Sequence, residues 1–341
     1  VSSDLTWEKA STFNIGLDFT MLNQRLDFSF DWYQRTTSDM LVKVEYPEVL
    51  GTTAPPANKA ELRTRGWEVS VKWNDRIGND FSYDLGFILS DSQAEITKYE
   101  NPSGTLSDYY VGQKIGEIWG YETEGFYQSD TDVQNHADQS KLGANWTPGD
   151  IMYKDLDGNK KINNGSNTLD DHGDLKVIGN TTPRYQYGIT ANMSYKNVYL
   201  NVFFQGIGKR HFWPSSQPFW PVATQYYNTQ KWFVTDSWSE DNRDAYFARP
   251  IARETKNQQK QTKYLQDASY CRLKNLTVGY DFPKSWLSFL HVAKAGVYFS
   301  AENLFEFTNV KGAYDPEAAG KNGTMVYPFQ RTYSFGLNVT F

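Results

Sequence analysis

The last fourteen residues constrain the fold more than any other stretch. Residues 328–341 read PFQRTYSFGLNVTF, and apolar and polar side chains alternate without a break up to the terminal aromatic residue. Such alternation predicts an extended strand with one apolar face. That face carries Tyr333, Phe335, Leu337, Val339 and Phe341. The closing strand of a transmembrane β-barrel has this pattern, but so does an edge strand of a soluble β-sandwich, and this stretch alone does not separate them.

The same alternation recurs along the chain and predicts nine strands. Clear examples are 13–19, 26–32, 67–73, 81–89 and 184–195. Short turns are predicted at Leu22, Asn74, Lys196 and Pro283. Long connections are predicted at about 36–61, 95–183, 210–265 and 306–327, and the second of these is too long for an unstructured loop and should be folded. Regular alternation of short turns and long loops is typical of outer-membrane barrels, in which the long loops are extracellular.

Composition and motifs exclude several functions. No window approaches the roughly 20 apolar residues of a membrane helix, so a helical membrane protein is excluded. The net charge is -6 and no basic stripe is present, so nucleic acid is not expected as a partner. No metalloprotease, serine-hydrolase or phosphate-loop motif occurs, and Glu122 and Glu124 stand at alternate positions of a polar stretch, which indicates a solvated face. The chain is therefore predicted not to be an enzyme.

One predicted strand breaks the alternation. Within 267–283, Leu276 and Val278 share a face, but Arg272 and Lys274 fall on that same face. Because two cations do not suit an apolar surface, the pattern predicts a β-bulge here, or the point at which the strand leaves a membrane.

Six stretches, in this order, resemble the C-terminal half of SusC/RagA-type TonB-dependent transporters. They are LTWEKASTFNIGLDF (5–19), GDIMYKDLDGN (149–159), IGNTTPRYQYGI (178–189), DASYCRLKNLTVGY (267–280), AENLFEFT (301–308) and RTYSFGLNVTF (331–341). The resemblance spans essentially the whole chain. Six matching stretches in the same order identify a family far more specifically than any one stretch does.

The resemblance implies an all-β fold, a transmembrane antiparallel β-barrel of about 22 strands, of which residues 1–341 would form the last nine. The plug domain, the segment that contacts TonB and the earlier strands would lie outside this chain. It also implies a Gram-negative outer membrane, extracellular long loops, and import of glycans or peptides with a SusD-like lipoprotein lid. Two alternatives remain: a siderophore or vitamin transporter of the same architecture, and a secreted β-sandwich that binds carbohydrate.

The long connection after residue 209 is rich in aromatic residues. Aromatic rings stack on the apolar faces of sugars, and neighbouring amide side chains bind hydroxyl groups. The candidate substrate-binding residues are His211, Trp213, Phe219, Trp220, Tyr226, Tyr227 and Trp232. The alternative is that these residues pack the loop on itself or against the lid, because a connection of this length needs a small core.

A calcium site is predicted in the stretch DLDGNKKINNGSN, residues 155–167. Asp155, Asp157 and Asn159 match positions one, three and five of an EF-hand loop, the Lys161 carbonyl matches position seven, and Asn163 matches position nine. The stretch departs from the pattern at position six (Lys160 for glycine) and at position twelve (Ser166 for a carboxylate). Candidate replacements for the carboxylate are Asp170, Asp171 and Asp174. The alternative is a solvated Asp-Gly turn.

Overall fold

The computed structural model describes residues 5–42, 56–216, 219–223, 228–288, 291–312, 314–318 and 329–341. The strands are β1 (Lys9–Met21), β2 (Leu26–Val42), β3 (Ala57–Ile77), β4 (Phe81–Lys98), β5 (Glu117–Tyr121), β6 (Thr123–Phe126), β7 (Ile151–Tyr153), β8 (Leu175–Asn180), β9 (Arg184–Tyr195), β10 (Val198–Lys209), β11 (His211–Phe212), β12 (Gln266–Asp267), β13 (Tyr270–Asp281), β14 (Lys294–Thr308) and β15 (Thr332–Thr340). The helices are short: α1 (Asp130–Asn135), α2 (Lys231–Thr235) and α3 (Lys284–Leu287), with 3-10 turns at Pro221–Ala223, Lys256–Gln258 and Pro316–Ala318.

Nine strands form one antiparallel sheet, which confirms the predicted strand number and the all-β fold. Their order is β1-β2-β3-β4-β9-β10-β13-β14-β15, so each strand pairs with its neighbour along the chain once the small strands of the long connections are set aside. Among the described residues the sheet does not close on itself, and β1 and β15 lie at its two edges. None of the described helices has the length and apolar character needed to cross a membrane.

One face of the sheet is apolar and uncovered. Cross-strand pairing places Val297 opposite Leu337 and Phe299 opposite Phe335, as the alternation predicts. Phe335 is 84% exposed and Leu337 is 65% exposed. A β-sandwich buries such a face under a second sheet, whereas the other sheets among the described residues have only two strands each. The apolar face therefore does not have the cover that a sandwich requires.

Short turns join the strands at one end of the sheet. Residues Leu22, Asn23 and Gln24 take left-handed backbone conformations, with φ of 58°, 57° and 64°, and Lys196 does the same with φ of 53°. Left-handed residues match the twist of hairpin strands, so these turns set the register of the strands they join. The turn predicted over 74–80 is shorter than expected, because β3 continues through Asn74 to Ile77 and only 78–80 form the turn.

Several strands are longer than predicted. Strand enters the connection predicted at 36–61 from both ends, since β2 reaches Val42 and β3 begins at Ala57. Strand β14 likewise extends to Thr308. At 36–38 polar residues occupy both faces of β2, so the alternation that marks a strand is lost there, although backbone pairing with β1 continues.

Glycines in the sheet make room for tyrosine rings. A Cβ atom at Gly279 would lie 2.1 Å from Cζ of Tyr199, and one at Gly336 would lie 2.2 Å from Cζ of Tyr298. Both tyrosines lie on the polar face, in one row across β10, β13, β14 and β15. These strand glycines therefore allow a close side-chain approach, which is the usual reason for a glycine inside a strand.

Candidate functional site

The two longest connections fold together at the end of the sheet opposite the short turns. We call the described residues of 99–183 and 210–269 the loop module. It contains the strand pairs β5–β8, β6–β7 and β11–β12. The two connections also bond to each other, because the Tyr121 amide donates to the Lys260 carbonyl at 2.8 Å and the Thr123 amide donates to Oγ1 of Thr262 at 2.9 Å. The prediction that the longest connection is folded is confirmed.

A shared aromatic core holds the loop module together. The first connection contributes Tyr121, Phe126, Ile151, Tyr153 and Ile162, and the second contributes Phe219, Trp220, Phe233, Trp238, Ala245, Phe247, Ala248 and Tyr264. Tyr153 is fully buried, and burial raises the pKa of its phenol well above the ordinary value. Because neither connection has this core alone, the two must fold as one unit.

A buried ion pair crosses the same interface. The Lys256 ammonium lies 2.9 Å from Oδ2 of Asp150, and the two side chains are 2% and 0% exposed. Lys256 also donates to the carbonyls of Ala144 and Asn145, and Asn257 donates to Oδ1 of Asp150 at 2.8 Å. The charges are thus paired and hydrogen-bonded, which is the condition for tolerating them in a core.

The residues predicted to bind substrate differ in how deeply they are buried. Phe219 is 1% exposed and Trp220 is 8% exposed, so both pack the core and neither presents a ring face to a ligand. Trp213 and Trp232 are only partly buried against that core. His211 is half-buried at the start of the loop module, where burial lowers the pKa of its imidazole. Tyr226 and Tyr227 lie outside the described residues.

The stretch around Asp155 folds as a compact polar loop. Oδ1 of Asp155 accepts from the Gly158 amide and Oδ2 accepts from the Lys160 amide, both at 2.8 Å. Lys160 has a φ of 60°, so it takes the left-handed conformation for which an EF-hand uses glycine. Asn159 accepts from the Lys161 amide, and Nδ2 of Asn163 donates to the Lys161 carbonyl.

Asp174 is the carboxylate that completes this cluster, rather than Asp170 or Asp171. One carboxylate oxygen each of Asp155, Asp157 and Asp174 lie within 4.8 Å of one another. Asp174 is fully buried and accepts from the amides of Leu156 and Asn163. Asp170 is exposed, while Asp171 accepts from the side chain and backbone of Ser166, and these hydrogen bonds lower its pKa. Sequence spacing did not single out Asp174, because its approach depends on the chain returning to Asn163.

The polar face of the sheet carries a depression of about 460 Å³. Its lining includes the polar residues Asp31, Glu68, Ser90, Gln186 and Gln205 and the apolar residues Ile88 and Phe203. Carboxylates, amides and a hydroxyl on this face contrast with the exposed aliphatic and aromatic residues on the other. The sheet therefore separates an apolar environment from a wet one, as the wall of a transmembrane barrel does.

A sheet of this kind, with one uncovered apolar face and connections that are long at one end only, is a segment of a transmembrane β-barrel wall. The family model described as TonB dependent receptor-like, beta-barrel, matches residues 1–304. The chain belongs to this family, whose members are outer-membrane β-barrels.

Relatives and solved structures agree with this assignment. The chain is 30% identical over 366 residues to TonB-dependent receptor P3 of Formosa agariphila, which covers 100% of this chain and 35% of the relative. It is 27% identical over 355 residues to SusC of Bacteroides thetaiotaomicron, covering 100% and 32%. The structure of the RagAB peptide transporter aligns with a TM-score of 0.74 and 25% identity, covering 99% of this chain and 36% of that one.

These matches confirm the SusC/RagA resemblance. The chain spans about a third of the length of the relatives it matches, which agrees with a sheet that does not close. The matched proteins are receptors and transporters rather than enzymes.

Proposed function

We propose that this chain forms the C-terminal part of the barrel of an outer-membrane importer that is driven through TonB and takes up glycans or peptides. The observation that carries the proposal is similarity along essentially the whole chain to SusC and to the RagAB peptide transporter. The apolar face would contact lipid, and the polar face would line the lumen. The plug domain and the segment that contacts TonB would be supplied by the rest of the protein.

In this proposal the loop module stands on the extracellular side and forms part of the surface that captures substrate beneath a SusD-like lipoprotein lid. Trp213, Trp232 and His211 keep exposed surface and remain candidates for substrate contact. Phe219 and Trp220 act instead as the core that holds this surface in place. Similarity to both SusC and a peptide transporter leaves glycans and peptides as the two substrate classes.

Deleting the gene of the full-length protein in its native host tests this function. We expect loss of growth on either a glycan or a peptide mixture as sole nutrient, because substrates of this size do not pass through porins. The intact protein should fractionate with the outer membrane, shift in gel mobility on boiling, and co-purify with a lipoprotein. Unchanged growth on both nutrients but impaired growth under iron limitation would support the siderophore alternative. Recovery in the soluble fraction would contradict any transporter function.

We also propose that the loop at Asp155 binds calcium. The cluster of Asp155, Asp157 and Asp174 supports this, together with the amide oxygens of Asn159 and Asn163 nearby, because calcium prefers several oxygen ligands of which some are carboxylates. The ion would tie 155–163 to Asp174 and so brace the first connection of the loop module.

Calcium is therefore expected to stabilise the loop module. Binding to the folded state alone would add about 2.7 kcal/mol when free calcium is 100 times the dissociation constant. The measurement is unfolding of the full-length protein in detergent, followed by tryptophan fluorescence with and without calcium. Asp157→Asn should abolish most of the gain, whereas Asp170→Asn, an exposed carboxylate outside the cluster, should keep it. Equal stabilisation of both variants would contradict the site, and no stabilisation of the parent protein would favour a solvated turn.

A further inference from the structure

A β-bulge in β13 turns Arg272 onto the polar face of the sheet. The pairing of β13 shifts between Leu273 and Asn275, so Lys274 has no partner in register on either neighbouring strand. From Asn275 onward, the residues of β13 lie on the faces that the alternation of the sequence predicts. Before the bulge, from Tyr270 to Leu273, each residue lies on the opposite face. Arg272 thereby pairs with Gln205 and Glu306 on the polar face. The break predicted from sequence is confirmed as a bulge, which re-aims a side chain as bulges commonly do.

Arg272 binds the final connection of the chain, between β14 and β15. Its Nη1 donates to Glu317 at 2.5 Å, and its Nη2 donates to Asp315 at 2.6 Å. Lys274 donates to both oxygens of Glu317 at 2.9 Å, and the ring of Phe329 lies 5.1 Å from the Arg272 guanidinium. Only 1% of the Arg272 surface is exposed, although Arg272 starts on an open face. The described residues Asp315, Glu317 and Phe329 therefore cover Arg272 on the polar face.

The residues just before Asp315 bind the loop module. The Lys311 amide donates to Oε1 of Gln266 at 3.0 Å, and the Lys311 ammonium lies 4.2 Å from the centre of the Tyr246 ring. The Tyr314 hydroxyl bonds to Oγ of Ser216, and its ring packs on Phe212 at 5.5 Å between centroids. Thus Lys311 and Tyr314 are fixed to the loop module, and Asp315 and Glu317 are fixed to the sheet.

We infer that the described residues between Lys311 and Glu317 form a strut that ties the loop module to the polar wall of the sheet, anchored at the wall by Arg272 and at the module by Lys311 and Tyr314. Asp315 lies four positions after Lys311, a span of at most about 14 Å when fully extended. A segment this short cannot stretch to follow a large displacement of either Lys311 or Asp315. A shift of the loop module must therefore pull on Arg272 or break its ion pairs.

Once those ion pairs are broken, Glu306 is the nearest remaining carboxylate to the Arg272 guanidinium, 4.0 Å away. The existence of the strut does not depend on the substrate class, and its test needs no substrate. In an importer, such a strut would transmit a displacement of the extracellular loops to the wall of the lumen.

Hydrogen exchange of the full-length protein in detergent tests the strut. Arg272→Gln removes the wall anchor, and we expect exchange to accelerate by about tenfold or more not only at 315–318 but also at the module contacts 264–268 and 310–312. The matched control is Arg331→Gln, since Arg331 pairs with Glu306 of the same network at 3.3 Å but is itself more than half exposed. The control should leave the exchange of 264–268 unchanged.

Acceleration confined to 315–318 would overturn the inference, because it would show a locally docked loop without coupling to the module. If Arg272→Gln does not give a heat-modifiable barrel, the double variant Asp315→Asn with Glu317→Gln removes the same anchor from outside the sheet. Tyr314→Ala supplies the reciprocal test from the module side. It should accelerate exchange at 315–318, and the strut is rejected if exchange there stays at the parent rate.

Discussion

Replacing Lys256 with methionine is expected to destabilise the loop module by about 3–5 kcal/mol, because it leaves the fully buried Asp150 carboxylate without its cation. Methionine fills much of the same volume, so the loss reports the unpaired charge rather than a cavity. The double variant Lys256→Met with Asp150→Asn should recover part of this stability. Denaturant unfolding of the full-length protein, followed by fluorescence of the module tryptophans, measures the effect.

The matched control for Lys256 is Lys154→Met. Lys154 belongs to the same module and pairs with Glu122 at 3.2 Å, but its side chain is 43% exposed. An exposed pair contributes about 0–1 kcal/mol. If Lys256→Met loses as little stability as Lys154→Met, the two connections do not rely on the buried ion pair, and the aromatic core alone joins them.

Arginine in place of Leu337 is expected to destabilise the membrane-inserted protein by about 2–4 kcal/mol, because Leu337 lies on the uncovered apolar face, opposite Val297. The loss of stability comes from placing a charge against hydrocarbon. It should therefore be large if this face contacts a bilayer, and smaller if the protein is soluble. Urea unfolding in lipid vesicles, scored by heat-modifiable mobility of the full-length protein, gives the difference from the parent protein.

Asn338→Arg is the control for the lipid-facing variant. Asn338 is the next residue on the same strand, opposite Gly296, and its side chain lies on the polar face. Arginine there meets a wet environment and should change stability by no more than about 0.5 kcal/mol. Equal losses at 337 and 338 would contradict the assignment of lipid and lumen to the two faces.

The strands and their order could be predicted from the sequence because residues that are close together in the chain determine them. Alternation within β15 identifies its two faces from adjacent residues alone, and turns such as 22–24 are specified by a few residues that adopt left-handed conformations. Strand ends were less predictable: β2 and β3 continue past the region where one face is apolar, and there only the hydrogen bonds between the strands mark them.

The candidate site was predictable in part for the same reason. The residues from Asp155 to Asn163 form a compact loop because their carboxylates and amides bond to amides two to five residues away. Asp174 could be named only as one of several acids, since its place beside Asp155 requires a return of the chain. The aromatic residues after 210 predicted either a packed core or a binding surface, and the sequence did not show that Phe219 would be buried while Trp232 would stay partly exposed.

By itself, then, the sequence determined the all-β class, the nine strands, the two faces of the sheet and the family. Tertiary structure alone decided that Lys256 meets Asp150, that Arg272 turns to Asp315 and Glu317, and that two long connections share one core. The physical reason is distance along the chain. Periodicity and turn chemistry act between neighbouring residues, whereas these ion pairs and ring contacts join residues about forty to more than a hundred positions apart, and their partners become specific only when the backbone brings them together.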